Sequence, residues 1–372
     1  MDRGLEKNLV QGCTDIQQVK TLFGFSDKET EMLKKIQEMY PMFVNPYYFS
    51  LIDIDDEADP IRKLCIPSVE ELDTVGSFDT SGEKDNTVLP GLQHKYKATA
   101  LILSNNRCAM YCRHCFRRRM VGISEKETSR ELKAIVDYLN EHTEISNVLI
   151  SGGDAFMNSN ELIEEYLKEL SAIPHLDLIR FGTRIPVVFP QRITADLELR
   201  DILCKYNKKK IINIVTQFNH PREITQQSAE AVEQLLDINI LVKNQTVLLK
   251  GINDDSYILG DLIKKLTAIG VIPYYVFQCR PVTGVMNHFQ IPLRKGYEIT
   301  EAAKNMQSGM GKCFRFVMSH ITGKIEILGA LNENNMIFKY HQTKDEENQG
   351  RIFVQQINEN QCWLETGKKV CK

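Results

Sequence analysis

Residues 98–119 read Ala-Thr-Ala-Leu-Ile-Leu-Ser-Asn-Asn-Arg-Cys-Ala-Met-Tyr-Cys-Arg-His-Cys-Phe-Arg-Arg-Arg. A short apolar run of strand character leads directly into Cys108, Cys112 and Cys115, spaced C-x3-C-x2-C. Three thiolates on one loop can grip three irons of a [4Fe–4S] cluster, whose usual complement is four cysteines, and so leave the fourth iron open to a small molecule. Arg107, Arg113, Arg117, Arg118 and Arg119 flank the cysteines with no acid among them. Such charge is expected to lower the thiol pKa and offset an anionic cluster. The same residues have other readings. A zinc site wants four Cys or His ligands, and no second close pair follows at finger or ribbon spacing. A thiol redox pair needs only C-x2-C and leaves Cys108 and the arginines surplus. The arginine run by itself suits a solvated or phosphate-facing surface.

Outward from this stretch, apolar runs alternate with amphipathic helical ones. ATALILS, NVLIS, LDLIRFGT, KIINIVTQF, ILVKNQTVLL and PYYVFQ are each followed by a helical stretch, which makes six strand–helix units. That alternation implies a parallel sheet with helices outside it. Six units are two short of the closed eight-fold barrel. The expected fold is therefore α/β, a partial (β/α)6 barrel over residues 93–311. An N-terminal helical and loop segment (1–92) precedes it, and a β-containing C-terminal extension (312–372) follows. Functional groups of parallel α/β sheets gather at the carboxyl ends of strands, and the three cysteines follow the first strand directly.

In the N-terminal segment, Ser26 is placed to cap a helix with Glu29 three residues on, and Asn45-Pro46 breaks that helix. The polar stretch from Cys65 to Leu92 is too long for a routine connection. It is either mobile or packed across a site mouth. Strand ends carry polar residues: Ser151-Gly152-Gly153-Asp154, Gly182-Thr183-Arg184, Gln217, Asn219-His220-Pro221 and Asn244-Gln245. Two glycines admit a ligand's close approach and also suit a tight strand exit; an acid can bind a cationic amine. His220 reads as structural.

With 42% hydrophobic and 26% charged residues, the chain has an ordinary globular composition. A net charge of −3 gives no pull toward nucleic acid or membrane. No apolar run is long enough to span a bilayer, and residues 1–15 hold no secretory h-region. The seven other cysteines (Cys13, Cys65, Cys204, Cys279, Cys313, Cys362 and Cys371) are scattered. They are expected reduced in a cytoplasmic setting.

Taken together, RCAMYCRHCFRRR, VLISGGDAFM, GTRIPVVFPQRIT, FNHPREIT, NQTVLLKGIND and YYVFQC resemble radical S-adenosylmethionine enzymes, and within them the lysine 2,3-aminomutase family. The resemblance runs from about residue 38 to 330. It implies a [4Fe–4S] cluster on Cys108, Cys112 and Cys115. S-adenosylmethionine would chelate the open iron, held by Ser151, Gly152, Gly153, Asp154, Arg184, Gln217 and Gln245, and be cleaved to methionine and a 5′-deoxyadenosyl radical. It further implies pyridoxal phosphate, bound as a Schiff base by Lys324 with Lys95 and Tyr96 on its phosphate, and Arg117 on the substrate α-carboxylate. The radical would take hydrogen from Cβ, and the amino group would move from Cα to Cβ.

This chain departs from the family at several points. The turn before Lys324 is shorter, with one glycine, which also fits an ordinary surface lysine after a hairpin. A third basic position of the phosphate clamp falls on Thr99, which is neutral. The two aspartates that hold the distal ammonium of lysine correspond to Arg280 and Ser319. Arg280 would repel a cationic side chain and could pair bidentately with a carboxylate, unless an internal acid takes it. The expected substrate is thus an amino acid other than lysine, with an acidic side chain. Cys362 and Cys371 are too sparse for the family's interchain zinc, so no zinc is expected. The alternative keeps cluster and radical and drops pyridoxal phosphate, giving an enzyme that epimerises or dehydrogenates an amino-acid-like substrate. A reductant such as flavodoxin or ferredoxin and a homo-oligomer are expected; a nucleic-acid partner is not.

Overall fold

Twelve strands, each hydrogen-bonded to the next in chain order, form one sheet in the computed structural model, which describes residues 11–365. Three lead in: β1 (Thr87–Leu89), β2 (Leu92–Tyr96) and β3 (Thr99–Asn105), paired antiparallel. Six more, β4 (Asn147–Gly152), β5 (Leu178–Gly182), β6 (Ile211–Thr216), β7 (Leu241–Leu248), β8 (Ile272–Gln278) and β9 (Arg315–His320), run parallel to β3. β10 (Gly323–Ala330), β11 (Asn335–Thr343) and β12 (Ile352–Gln356) close the order antiparallel. β1 and β12 are unpaired edges, so the barrel is partial, as the sequence implies.

The six crossovers carry α1 (Leu132–Glu141), α2 (Asn160–Ser171), α3 (Leu197–Asn207), α4 (Gln226–Asp237), α5 (Ser256–Ala268) and α6 (Leu293–Asn305). Their starts are written in the sequence. Ser159, Asp196, Thr225 and Asp255 each accept a backbone N–H of the first turn, satisfying donors the helix cannot pair itself. Strand side chains alternate between two faces. Ile179, Phe181, Val242 and Leu248 point outward and are buried under the helices against residues such as Leu167, Leu203, Leu235 and Leu262. The intervening positions Arg180, Lys243 and Gln245 point inward.

Two features were not evident from the sequence. FRFVMS, assigned to the C-terminal extension, supplies β9, a seventh parallel strand beside β8. The crossover helix α6 returns the chain to the same end of the sheet, as a βαβ unit must. The stretch 65–92 is packed: a helical turn at Val69–Leu72, another at Glu83–Asn86, and β1. Ser26 caps Asp27–Met39 through Glu29 N (3.2 Å), and Asn45 caps a new turn at Pro46–Phe49. No helix among the described residues is long and apolar enough to cross a membrane. Cys371 and the first ten residues lie outside the described residues.

Candidate active site

Inward-facing side chains of β3 to β8 enclose a cavity of about 550 Å³. It reaches from the carboxyl ends of the strands, at Gly152, Thr183 and Gln217, to their amino ends, at Thr99, Asn147 and Lys243. Every residue singled out from the sequence as a site candidate lines it: Cys108, Cys112, Cys115, Ser151, Gly152, Gly153, Asp154, Arg184, Gln217, Gln245, Lys95, Tyr96, Lys324, Arg117, Arg280 and Ser319.

The cysteine loop is seated on the exit of β4. Gly153 N donates to Asn105 O (2.7 Å) and Asp154 N to Arg107 O (2.8 Å). A Cβ at Gly152 would lie 2.2 Å from Asn105 O, and one at Gly153 2.3 Å from Arg107 O. The glycine pair therefore answers a close backbone approach by the cysteine loop itself. Asp154 accepts from Thr183 Oγ1 (2.6 Å), Arg184 N (2.7 Å) and Phe156 N (3.0 Å), and burial raises its pKa. Its carboxylate is thus engaged in holding the exit of β5.

The three thiols are free, half-buried and turned to one cavity, a donor set that fits three irons of a cluster. The expectation that the neighbouring arginines depress them needs correction. Burial raises Cys108, and lifts Cys115 to about 11 against the lowering by Arg117 and Arg118; the arginines also have acids of their own. Glu71 takes Arg113 through Nε (2.9 Å) and Nη2 (2.6 Å), and also takes Arg118. Glu83 takes Arg117 (3.0 Å) and Arg119 (2.6 Å). Both acids come from the packed stretch 65–92, far away in sequence. The guanidinium that reaches a thiol is Arg184, with Nη1 2.7 Å from Cys112 Sγ and Nη2 2.6 Å from Glu223. His114 is held neutral, its pKa lowered by burial to about 3. Its Nε2 accepts from Gln217 (3.0 Å), while Nδ1 is buried with no partner. The Gln245 side chain lines the cavity and has no hydrogen-bond partner among the described residues, which leaves it open to a ligand. His220 caps the turn after β6 by accepting from Arg222 N (3.2 Å), a structural role.

At the other end stands Lys324. It is the second residue of β10, opposite Ser319 of β9 and Gln342 of β11. Gly323 lets β11 come close, since a Cβ there would lie 2.3 Å from Gln342 O. Lys324 Nζ sits 4.4 Å from the Tyr275 ring centroid with no ion pair among the described residues. Burial, with Arg180, Arg280 and Lys95 around it, lowers its pKa to about 7. A half-buried amine in a cavity is not the surface lysine of a hairpin turn, which removes that reading. Lys95 donates to Ser81 O (3.0 Å) and His320 O (2.8 Å), and burial lowers it to about 8. Tyr96 pairs with Thr99 across a two-residue turn.

Between the two ends, Arg280 lies 3.8 Å over the Phe116 ring and donates to Ser81 Oγ (2.9 Å). No acid among the described residues forms an ion pair with it, although Glu83 is the foremost charge acting on it. Burial lowers it to about 10, so it stays charged at neutral pH. Arg117, although paired with Glu83, turns Nη1 toward Ser151 Oγ (3.4 Å). Sequence reading missed Glu71, Glu83, Arg180 and Lys243; nothing local marks them, since long-range packing or strand parity places each one.

A family model described as the radical SAM superfamily matches residues 102–259. A chain of Aquifex aeolicus (strain VF5), provisionally named an L-lysine 2,3-aminomutase, is 39% identical over 341 residues, 91% of each chain. The L-lysine 2,3-aminomutase of Acetoanaerobium sticklandii is 39% identical over 79% of this chain and 70% of its own. The glutamate 2,3-aminomutase of Clostridioides difficile (strain 630) is 39% identical over 80% of this chain and 69% of its own. With its cysteine triad at the mouth of a partial parallel barrel, the chain belongs to the lysine 2,3-aminomutase family, isomerases of the radical SAM superfamily.

Proposed function

We propose that the chain is a 2,3-aminomutase acting on a free α-amino acid with an acidic side chain. One observation carries the reading: the thiol triad, a lysine amine lowered to about 7 and an arginine with no ion pair among the described residues open onto the same cavity. Cys108, Cys112 and Cys115 would hold a [4Fe–4S] cluster. S-adenosylmethionine would lie against Ser151, Gly152, Gly153, Asp154, Arg184, Gln217 and Gln245. Pyridoxal phosphate, when bound, supplies an imine whose π-system lets nitrogen migrate between adjacent carbons.

The remaining work falls to the chain's own groups. Lys324 is unprotonated in part at neutral pH and so is nucleophilic. Lys95 and Tyr96 flank it for the phosphate. Arg117 offers Nη1 to the α-carboxylate. Arg280, stacked on Phe116, offers its planar fork to a second carboxylate, with Ser319 beside Lys324. Stretch 65–92 contributes Ser81, Glu83 and Asn86 to the wall of the cavity. A cationic substrate side chain would meet Arg280 in a desolvated pocket and be repelled. A reductant of the flavodoxin or ferredoxin kind would supply the electron.

The test is an anaerobic incubation of reduced enzyme with S-adenosylmethionine, pyridoxal phosphate and a panel of glutamate, aspartate, lysine and alanine. An acidic substrate should give the β-amino isomer, and lysine should not. Arg280→Met should lower kcat/KM for the acidic substrate by about ten- to hundred-fold, the loss of a charge-assisted contact. Turnover of lysine in preference to either acid would refute the assignment.

A further inference from the structure

The floor of the cavity holds cations without acids. Arg180 of β5 and Lys243 of β7 point inward by strand parity. Neither makes an ion pair among the described residues. Arg180 donates through Nη2 to Asn147 Oδ1, and Asn147 Nδ2 donates in turn to Thr99 Oγ1 (3.0 Å) and Ala98 O (2.7 Å). One amide thus ties the guanidinium to the position where the family's third basic residue is missing. Arg180 Nε is buried and has no hydrogen-bond partner. Lys243 Nζ lies 5.5 Å from the Tyr274 ring centroid. Arg180 is also the foremost charge acting on Lys324. Guanidinium and ammonium groups gathered in a low-dielectric space repel one another unless an anion joins them. An arginine with an orphaned N–H favours a tetrahedral oxyanion that accepts two parallel bonds.

Building on the pyridoxal phosphate reading above, we infer that Arg180, oriented by Asn147 and seconded by Lys243, is the phosphate-binding base of the barrel floor. The charge absent at Thr99 is delivered from β5 and β7, so that neutral position leaves the cofactor's phosphate a seat. Arg180 and Lys243 would hold the phosphate together with Lys95 and Tyr96, all four of which line the one cavity.

The experiment titrates cluster-loaded, cofactor-stripped enzyme with pyridoxal phosphate and, separately, with pyridoxal, which lacks the phosphate. Binding is read as the visible absorption of the bound cofactor, followed by borohydride fixation and the mass of the Lys324 peptide. Arg180→Gln should weaken pyridoxal phosphate about ten- to hundred-fold and pyridoxal by less than about twofold. Arg180→Lys should recover part of the loss, and Lys243→Gln should weaken only the phosphorylated form. Iron content and thermal melting guard against misfolding; should Arg180→Gln not fold, Lys243→Gln and Arg180→Lys decide. Equal losses for both ligands would mean that Arg180 merely supports the sheet, and unchanged binding of the phosphorylated form would likewise overturn the inference. A wild-type enzyme that binds neither ligand would overturn the cofactor reading itself.

Discussion

Lys324 is the residue whose chemistry depends most on where the fold puts it. An ordinary lysine is almost wholly protonated at neutral pH; this one, half-buried with Arg180, Arg280 and Lys95 around it, has its pKa lowered to about 7. The sign follows from the lowered pKa. Below about 7 the amine is protonated and unreactive, and above it the neutral form dominates. Covalent capture of pyridoxal phosphate should therefore speed up as pH rises through about 7 and then level off, whereas an unshifted lysine would keep gaining to about 10.4. Stopped-flow absorbance across that range checks this, and Lys324→Ala should abolish capture. A profile still climbing above pH 9 would show that the amine is not depressed. At this scale the sequence was informative where a motif fixes the geometry, as with the cysteines. Arg180 and Lys243 escaped notice because their meaning rests on which face of a strand they occupy and on which acids are missing nearby.

At the scale of elements, the arginine run 117–119 and the stretch 65–92 explain each other. Buried guanidinium groups are tolerable only when paired. Glu71, fully buried, serves Arg113 and Arg118, and Glu83 serves Arg117 and Arg119. Burial alone would raise Glu83, yet the arginines outweigh it and hold it at about 2. Glu71→Gln would leave two buried cations without their counter-charge, and should cost about 3–5 kcal/mol in urea unfolding of the cluster-free protein. A loss within about 0.5 kcal/mol, as at an ordinary surface site, would contradict this account of the stretch. The sequence raised packing across a site mouth as one of two readings of 65–92. It could not name the ion pairs, since none of them is local. The helices and the six parallel strands were legible because caps and period-two alternation are local signals. β9 was not, since its parallel partner is set by the crossover before it.

For the whole molecule, the consequence of an unclosed barrel is a cavity open from end to end of its strands. The thiol triad sits at one end, the phosphate floor at the other, and Arg280 between them. An amino acid held by its two carboxylates on Arg117 and Arg280 would share this cavity with the thiol triad and Lys324. In the proposed reaction, hydrogen leaves Cβ of an acidic amino acid and its amino group then takes that carbon. This is tested most directly by supplying glutamate deuterated at C3 to the reduced, fully loaded enzyme, then measuring deuterium in 5′-deoxyadenosine together with the β-amino product by mass. Deuterium in both is the predicted result. Unlabelled 5′-deoxyadenosine, or labelled 5′-deoxyadenosine with no β-amino isomer, would contradict it.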